Sequence, residues 1–202
     1  MPENVDLEHL VRELYRDCEL AAAERRWDDA LNGFERLLRL LEPAGDSTGS
    51  GRVHLRMALV SEQAGRPDEA RRQALQAEEL ARAAGDPKLL AAALHRRGHL
   101  LRMSDPAAAR ELFCQSLSAG DADLEARSIT LAMIGQIDFT EGDHPGGLDT
   151  MLEALAGMPP AGDAFEHLVE HIAYFGKKLP RADYVRLVTR RILAPALQAR
   201  LL

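Results

Sequence analysis

Arg26-Trp27-Asp28-Asp29-Ala30, Arg66-Pro67-Asp68-Glu69-Ala70, Asp105-Pro106-Ala107-Ala108-Ala109 and Asp143-His144-Pro145-Gly146-Gly147 are four versions of one short string. Each sits where a helix begins, and the small residues that close them stand 40, 39 and 38 positions apart. A period in this range predicts stacked helical hairpins, in which each unit buries its apolar side only against its neighbours. A chain built this way offers long helical faces rather than a single deep pocket, so binding is expected before catalysis.

Composition agrees with that reading. The 202 residues are 46% hydrophobic but only 4% aromatic. Ala, Leu, Arg and Glu dominate, which favours closely packed helices; a sheet would call for more Val, Ile, Thr, Tyr and Phe. The class is therefore all-α. A net charge of -7 argues against a general nucleic-acid binder, which needs a basic field to neutralise phosphates. The charge is unevenly spread: Lys177, Lys178, Arg181, Arg186, Arg190, Arg191 and Arg200 face only Asp183 between Gly176 and the last residue. Cys18 and Cys114 stand alone without a Cys-x-x-Cys partner, as buried thiols of a reducing compartment do. The start, Met1-Pro2-Glu3-Asn4-Val5-Asp6, is acidic and carries no apolar leader, and no apolar run reaches the length of a membrane span. A cytoplasmic protein is expected.

Along the chain, Asp6 is expected to cap a first helix with apolar positions Leu7, Leu10, Val11, Leu14 and Cys18 at spacings of three and four. A second helix follows from Trp27 to about Leu41. Ala44 to Gly51 reads as a mobile Gly/Ser loop. The next hairpins are expected at about 52–84, 87–118 and 121–157, turning at Ala64-Gly65-Arg66-Pro67, Ser104-Asp105-Pro106 and Glu141-Gly142-Asp143. Met158-Pro159-Pro160-Ala161-Gly162 then separates a last pair, about Asp163 to Phe175 and Arg181 to Leu193. This pair lacks the repeated turn, as a capping hairpin that closes an open apolar end would.

Aligned on Ala30, Ala70, Ala109 and Gly147, a second small residue recurs 12, 12, 11 and 12 positions earlier as Cys18, Ala58, Gly98 and Gly135. Phe34, Ala74, Phe113 and Met151 follow at four positions beyond. This register resembles the tetratricopeptide repeat, in which small residues let the two helices of a hairpin cross closely. The period here exceeds the family's 34 or so, and the early aromatic of the first helix is replaced by Leu14, His54, Leu94 and Leu131. The resemblance implies a right-handed superhelix of antiparallel hairpins within a single domain, 1–202. Its repeats would be 6–42, 52–84, 87–118 and 121–157, with a capping hairpin at 163–202.

The resemblance further implies that the first helix of each hairpin lines a concave groove. That places there Arg12, Tyr15, Glu19, Arg52, Leu55, Leu59, Glu62, His95, His99, Arg102, Ile129 and Gln136. Charges mixed with Leu and Ile suit an amphipathic peptide or helix as ligand. The Asn and Lys pattern that clamps a C-terminal carboxylate in some members is absent, since the only asparagines are Asn4 and Asn32.

Two constellations could carry other chemistry. His95 and His99 lie one turn apart and could present two imidazoles to a metal or an anion; two ligands do not make a metal site, and a cationic, pH-sensitive patch in the groove is the preferred expectation. His167-Leu168-Val169-Glu170-His171 matches the H-x-x-E-H string of inverted zinc peptidases. Those enzymes take a further acidic ligand downstream, and here only Asp183 remains. The outward face of a capping helix explains the string more simply. The expected function is thus a non-catalytic protein-interaction scaffold without cofactor, direct nucleic-acid or membrane partner, with self-association possible through the basic end. A metal-dependent hydrolase, a secretion chaperone and a regulatory sensor module are the alternatives.

Overall fold

A computed structural model describes the backbone of residues 3–120, 123–191 and 193–202, with side chains from Leu7 onward. Among the described residues there are eleven α-helices and no strand. They divide into two compact units, Met1–Leu100 and Leu101–Leu202.

The first unit contains α1 (Glu3–Ala23), α2 (Trp27–Leu41), a 3-10 turn (Glu42–Ala44), α3 (Ser47–Gln63), α4 (Pro67–Ala84) and all but the last residue of α5 (Pro87–Leu101). Helix α1 pairs with α2, and α3 with α4, as antiparallel hairpins, and α2 packs on α3. One apolar cluster holds this arrangement: Cys18 and Ala21 of α1, Ala30, Leu31, Phe34 and Leu37 of α2, and Val53, Met57 and Val60 of α3. Burial of a side chain such as Phe34 contributes roughly 1.5–3 kcal/mol. Helix α4 shows α3 a row of alanines, Ala70, Ala74, Ala77 and Ala81, all fully buried. Their spacing puts them on one face, and their size lets the helices approach closely.

The second unit contains α6 (Pro106–Ala119), α7 (Leu124–Thr140), α8 (His144–Gly157), α9 (Asp163–Gly176), α10 (Arg181–Arg190) and α11 (Pro195–Leu201). Here α6 packs on α7, α7 on α8 and α8 on α9. Its main core joins Leu148, Met151, Leu152 and Leu155 of α8 to Phe165, Leu168 and Ile172 of α9 and Tyr184 and Val188 of α10.

Aspartates start many of these helices. Asp46, Asp86, Asp105, Asp123 and Asp143 each accept a hydrogen bond from the backbone N-H three residues on, which supplies a helix-end donor with a partner. The turn residue five places before the repeated small residue is left-handed in three hairpins: Gly65 (φ 73), Gly142 (φ 109) and Arg25 (φ 59). Glycine adopts that conformation freely, whereas arginine does so against a Cβ clash.

The structure corrects several boundaries. The Gly/Ser stretch after Ala44 is not a loop up to Gly51, because α3 begins at Ser47 under the Asp46 cap. A Cβ on Gly51 would fall 2.6 Å from Leu89 Cδ2, so this glycine serves a close helix approach inside the core. Repeat 2 therefore starts before residue 52. Asp6 lies within α1, which begins at Glu3, and so is not its cap. The expected start of repeat 4 at 121 lies outside the described residues, and α7 begins at Leu124 under Asp123. The last hairpin is followed by a third helix, α11, rather than a plain tail; Leu193 and Leu201 join the core. Residue 192, inside the expected last helix, lies outside the described residues.

Candidate functional site: the faces of the first helices

In the first unit the expected groove residues on α1, α3 and α5 form a row of ion pairs. Glu19 of α1 takes two hydrogen bonds from Arg56 of α3, one from Nε to Oε1 at 2.7 Å and one from Nη2 to Oε2. Farther along α3, Glu62 accepts from Arg96 Nη1 at 3.0 Å and lies 3.1 Å from His99 Nδ1, both on α5. Hydrogen bonding to Glu19 holds the Arg56 guanidinium above its ordinary value, while burial pushes Arg96 below it. Tyr15 meets Phe34 edge to face at 5.8 Å, and burial, with Glu19 beside it, raises its phenol. Leu55 and Leu59 are half-buried between these charges.

Burial pushes His95 down to about 4, with Arg96 and His99 adding to the shift. At neutral pH it is therefore an uncharged ring, and His95 and His99 do not form a doubly cationic patch. Arg12 is exposed and pairs with Glu8 along its own helix. Arg52 is exposed on α3.

Sequence reasoning missed Arg56 and Arg96, the cations of the two rungs. A signal existed: Arg16, Arg56 and Arg96 stand two residues before Cys18, Ala58 and Gly98, each 40 from the next. It passed unnoticed because surface arginines on an amphipathic helix look alike until their partners on other helices are known.

A cavity of about 550 Å³ opens beside the first rung, between the α1–α2 turn and α3. Its walls are Ala22, Ala23, Trp27, Leu59 and Val60, and its polar groups are Glu19, Arg25, Arg56 and Gln63. A second one, of about 510 Å³, lies on the α2–α4 side and is acidic, with Asp28, Glu35, Asp68 and Glu69 against Arg66 and Arg72.

In the second unit, Ile129 is half-buried against the core and Gln136 Nε2 of α7 lies 2.8 Å from His171 Nδ1 of α9. Arg102 is exposed just beyond α5. His167, Glu170 and His171 are all exposed on α9. Among the described residues no three His, Cys, Asp or Glu side chains converge as metal ligands would. The imidazole of His171 faces Gln136 and the edge of Phe175 instead.

Four arginines of the basic C-terminal segment are paired with acids of their own unit. Arg190 and Arg191 both bind Asp149, Arg200 binds Glu166, Arg186 binds Asp183, and Arg181 donates to the Leu202 carbonyl. Lys178 lies over the Tyr174 ring at 5.0 Å. No helix among the described residues is long and apolar enough to cross a membrane.

No family model and no curated protein matches the chain by sequence. Solved structures do match it. BtubC (BKLC) from P. vanneervenii aligns over 78% of this chain and 68% of its own, with a TM-score of 0.63 and 17% identity. The apo quorum sensor NprR from B. thuringiensis aligns over 96% of this chain with a TM-score of 0.71 and 14% identity, and this chain spans 57% of that one. A putative kinesin light chain from P. anserina, described as having nearly identical TPR-like repeats, aligns over 94% of this chain and 95% of its own, with a TM-score of 0.68 and 12% identity. The helical hairpins, their small-residue crossings and these likenesses together identify an all-α helical-repeat fold of the tetratricopeptide-like kind.

Proposed function

We propose that this chain is a non-catalytic scaffold of the cytoplasm that binds a peptide or helical segment of a partner protein along the exposed faces of its first helices. The observation that carries this reading is the α1, α3 and α5 face of the first unit. There, Glu19–Arg56 and Glu62–Arg96 alternate with half-buried Leu55 and Leu59 beside an open cavity. Such a face has the mixture that recognises an amphipathic segment: apolar area for affinity and fixed charges for register. Arg52, exposed on α3, is the position at which charge reversal should weaken the complex without disturbing the core. The fold likeness to a quorum sensor and a kinesin light chain supports recognition of a protein or peptide in general.

Site-specific photo-crosslinking tests it. A benzophenone amino acid placed at Leu55 or Leu59 should join the chain to one partner in cells of the source organism, and the same probe at Glu35 on α2 should not. Equal labelling from both faces, or labelling only from α2, would reject this face as the binding surface.

A further inference from the structure

Resting on the reading that the α1–α3 face binds a peptide, we propose that the cavity beside the first hairpin turn receives an acidic side chain of that peptide, with Arg25 as its cation. Two independent observations converge on Arg25. First, its backbone is left-handed (φ 59), and it is the only non-glycine residue with positive φ among the described residues. The matching positions of two other hairpins are Gly65 and Gly142, so the arginine holds its place against the local backbone preference. Second, its side chain takes part in no ion pair or hydrogen bond among the described residues. Its neighbour Arg26, by contrast, binds Glu24 and Asp29, and Arg56 binds Glu19.

The surroundings select the ligand. The lining carries two guanidiniums, Arg25 and Arg56, against one carboxylate, Glu19, and that carboxylate is already held by Arg56 from two sides. A free positive charge therefore remains on a chain whose net charge is -7. Trp27, Leu59 and Val60 line the same cavity and offer apolar contact to a neighbour of the acid, while the guanidinium can take the carboxylate through two parallel hydrogen bonds. The opposite cavity on the α2–α4 side has an acidic excess and would repel the same side chain. The fitting occupant is an Asp or Glu next to an aliphatic or aromatic residue, with the carboxylate on Arg25 and the apolar neighbour against Trp27 and Leu59.

The probe is a library of random dodecapeptides displayed on phage, selected on the full chain. Selection should enrich peptides carrying an acid beside an apolar residue. Arg25→Gly should weaken a synthetic copy of an enriched peptide about tenfold or more while raising the melting temperature, because it removes both the cation and the backbone strain. Arg25→Glu should move the selection towards Lys or Arg at the acidic position. Enriched peptides that lack an acid, or that bind Arg25→Gly as tightly as the parent, would overturn the assignment. If such peptides still lose affinity on Arg52→Glu, the face reading stands and the cavity assignment alone falls; if no peptide is enriched at all, both fall.

Discussion

Gly135 of α7 and Gly147 of α8 meet backbone to backbone. A Cβ on Gly147 would fall 2.5 Å from the Gly135 carbonyl oxygen and 2.4 Å from Phe139 N, and one on Gly135 would fall 2.6 Å from the Gly147 carbonyl oxygen. These atoms belong to two helix backbones, so neither can turn aside as a side chain would. Gly147→Ala should therefore push α7 and α8 apart and destabilise the protein by about 3 kcal/mol, despite alanine's better helix propensity. Urea unfolding followed by circular dichroism checks this; an unchanged midpoint would mean that the crossing is looser than its geometry indicates.

Glu78 is 7% exposed on α4 and lies between Arg82 of its own helix and Arg97 of α5. Burial alone would raise its carboxyl, but hydrogen bonds from Arg97 and Arg82 outweigh that and hold it below the ordinary value. Its stabilising contribution is therefore complete above the unfolded-state value of about 4.3 and disappears as pH falls through the lower folded value. Glu78→Gln should lose about 1–3 kcal/mol at pH 7. The difference from the parent should shrink as both are unfolded at progressively more acid pH.

His95 acts in a higher window. Its folded value of about 4 lies below the ordinary 6.5, so the unfolded chain binds this proton more readily than the folded one. Stability should fall as pH drops from 6.5 towards 4, by on the order of 3 kcal/mol from this ring. His95→Phe should flatten that part of the stability profile and leave the lower window of Glu78 in place. A profile equally steep in the variant would assign the slope to other groups.

Asp149 binds Arg190 and Arg191 at once, with Nη2 of each guanidinium 2.6 Å from Oδ2. Burial pulls its carboxyl up, and the two arginines more than compensate, so the net shift is downward. Asp149→Asn should destabilise the second unit by about 1–2 kcal/mol. It should also release two cations at the surface, so the variant should elute from heparin at higher salt than the parent. Identical elution would indicate that the arginines find other acids nearby, such as Glu153, which Arg191 already approaches at 3.4 Å.

Tyr184 ties the end of the chain to α10 through a buried hydrogen bond from its hydroxyl to the Leu201 carbonyl at 2.7 Å. Tyr184→Phe would leave that carbonyl without its donor and should cost about 1 kcal/mol. Amide exchange across α11 (Pro195–Leu201) should accelerate more than exchange across α8. Uniform acceleration would point to global rather than local loosening.

The sequence by itself determined that the chain is a series of helices, that α1 pairs with α2, α3 with α4 and α7 with α8, and that Gly135 meets Gly147, because those depend on residues within one or two turns or on a period that repeats. Asp143 before Gly146, Gly142 in its turn and the Gly135–Gly147 register are legible without coordinates for that reason. Only the tertiary structure decided which charges are free. Arg56 finds Glu19 at a separation of 37 residues and Arg191 finds Asp149 at 42, and such meetings depend on how each helix is rotated and stacked on the next. The expected loop at Ser47 to Gly51 is helix, capped by Asp46 and packed with Gly51 against Leu89. The same dependence left Arg25, unremarkable in the sequence, as a cation without an ion pair among the described residues, on a left-handed turn beside a cavity.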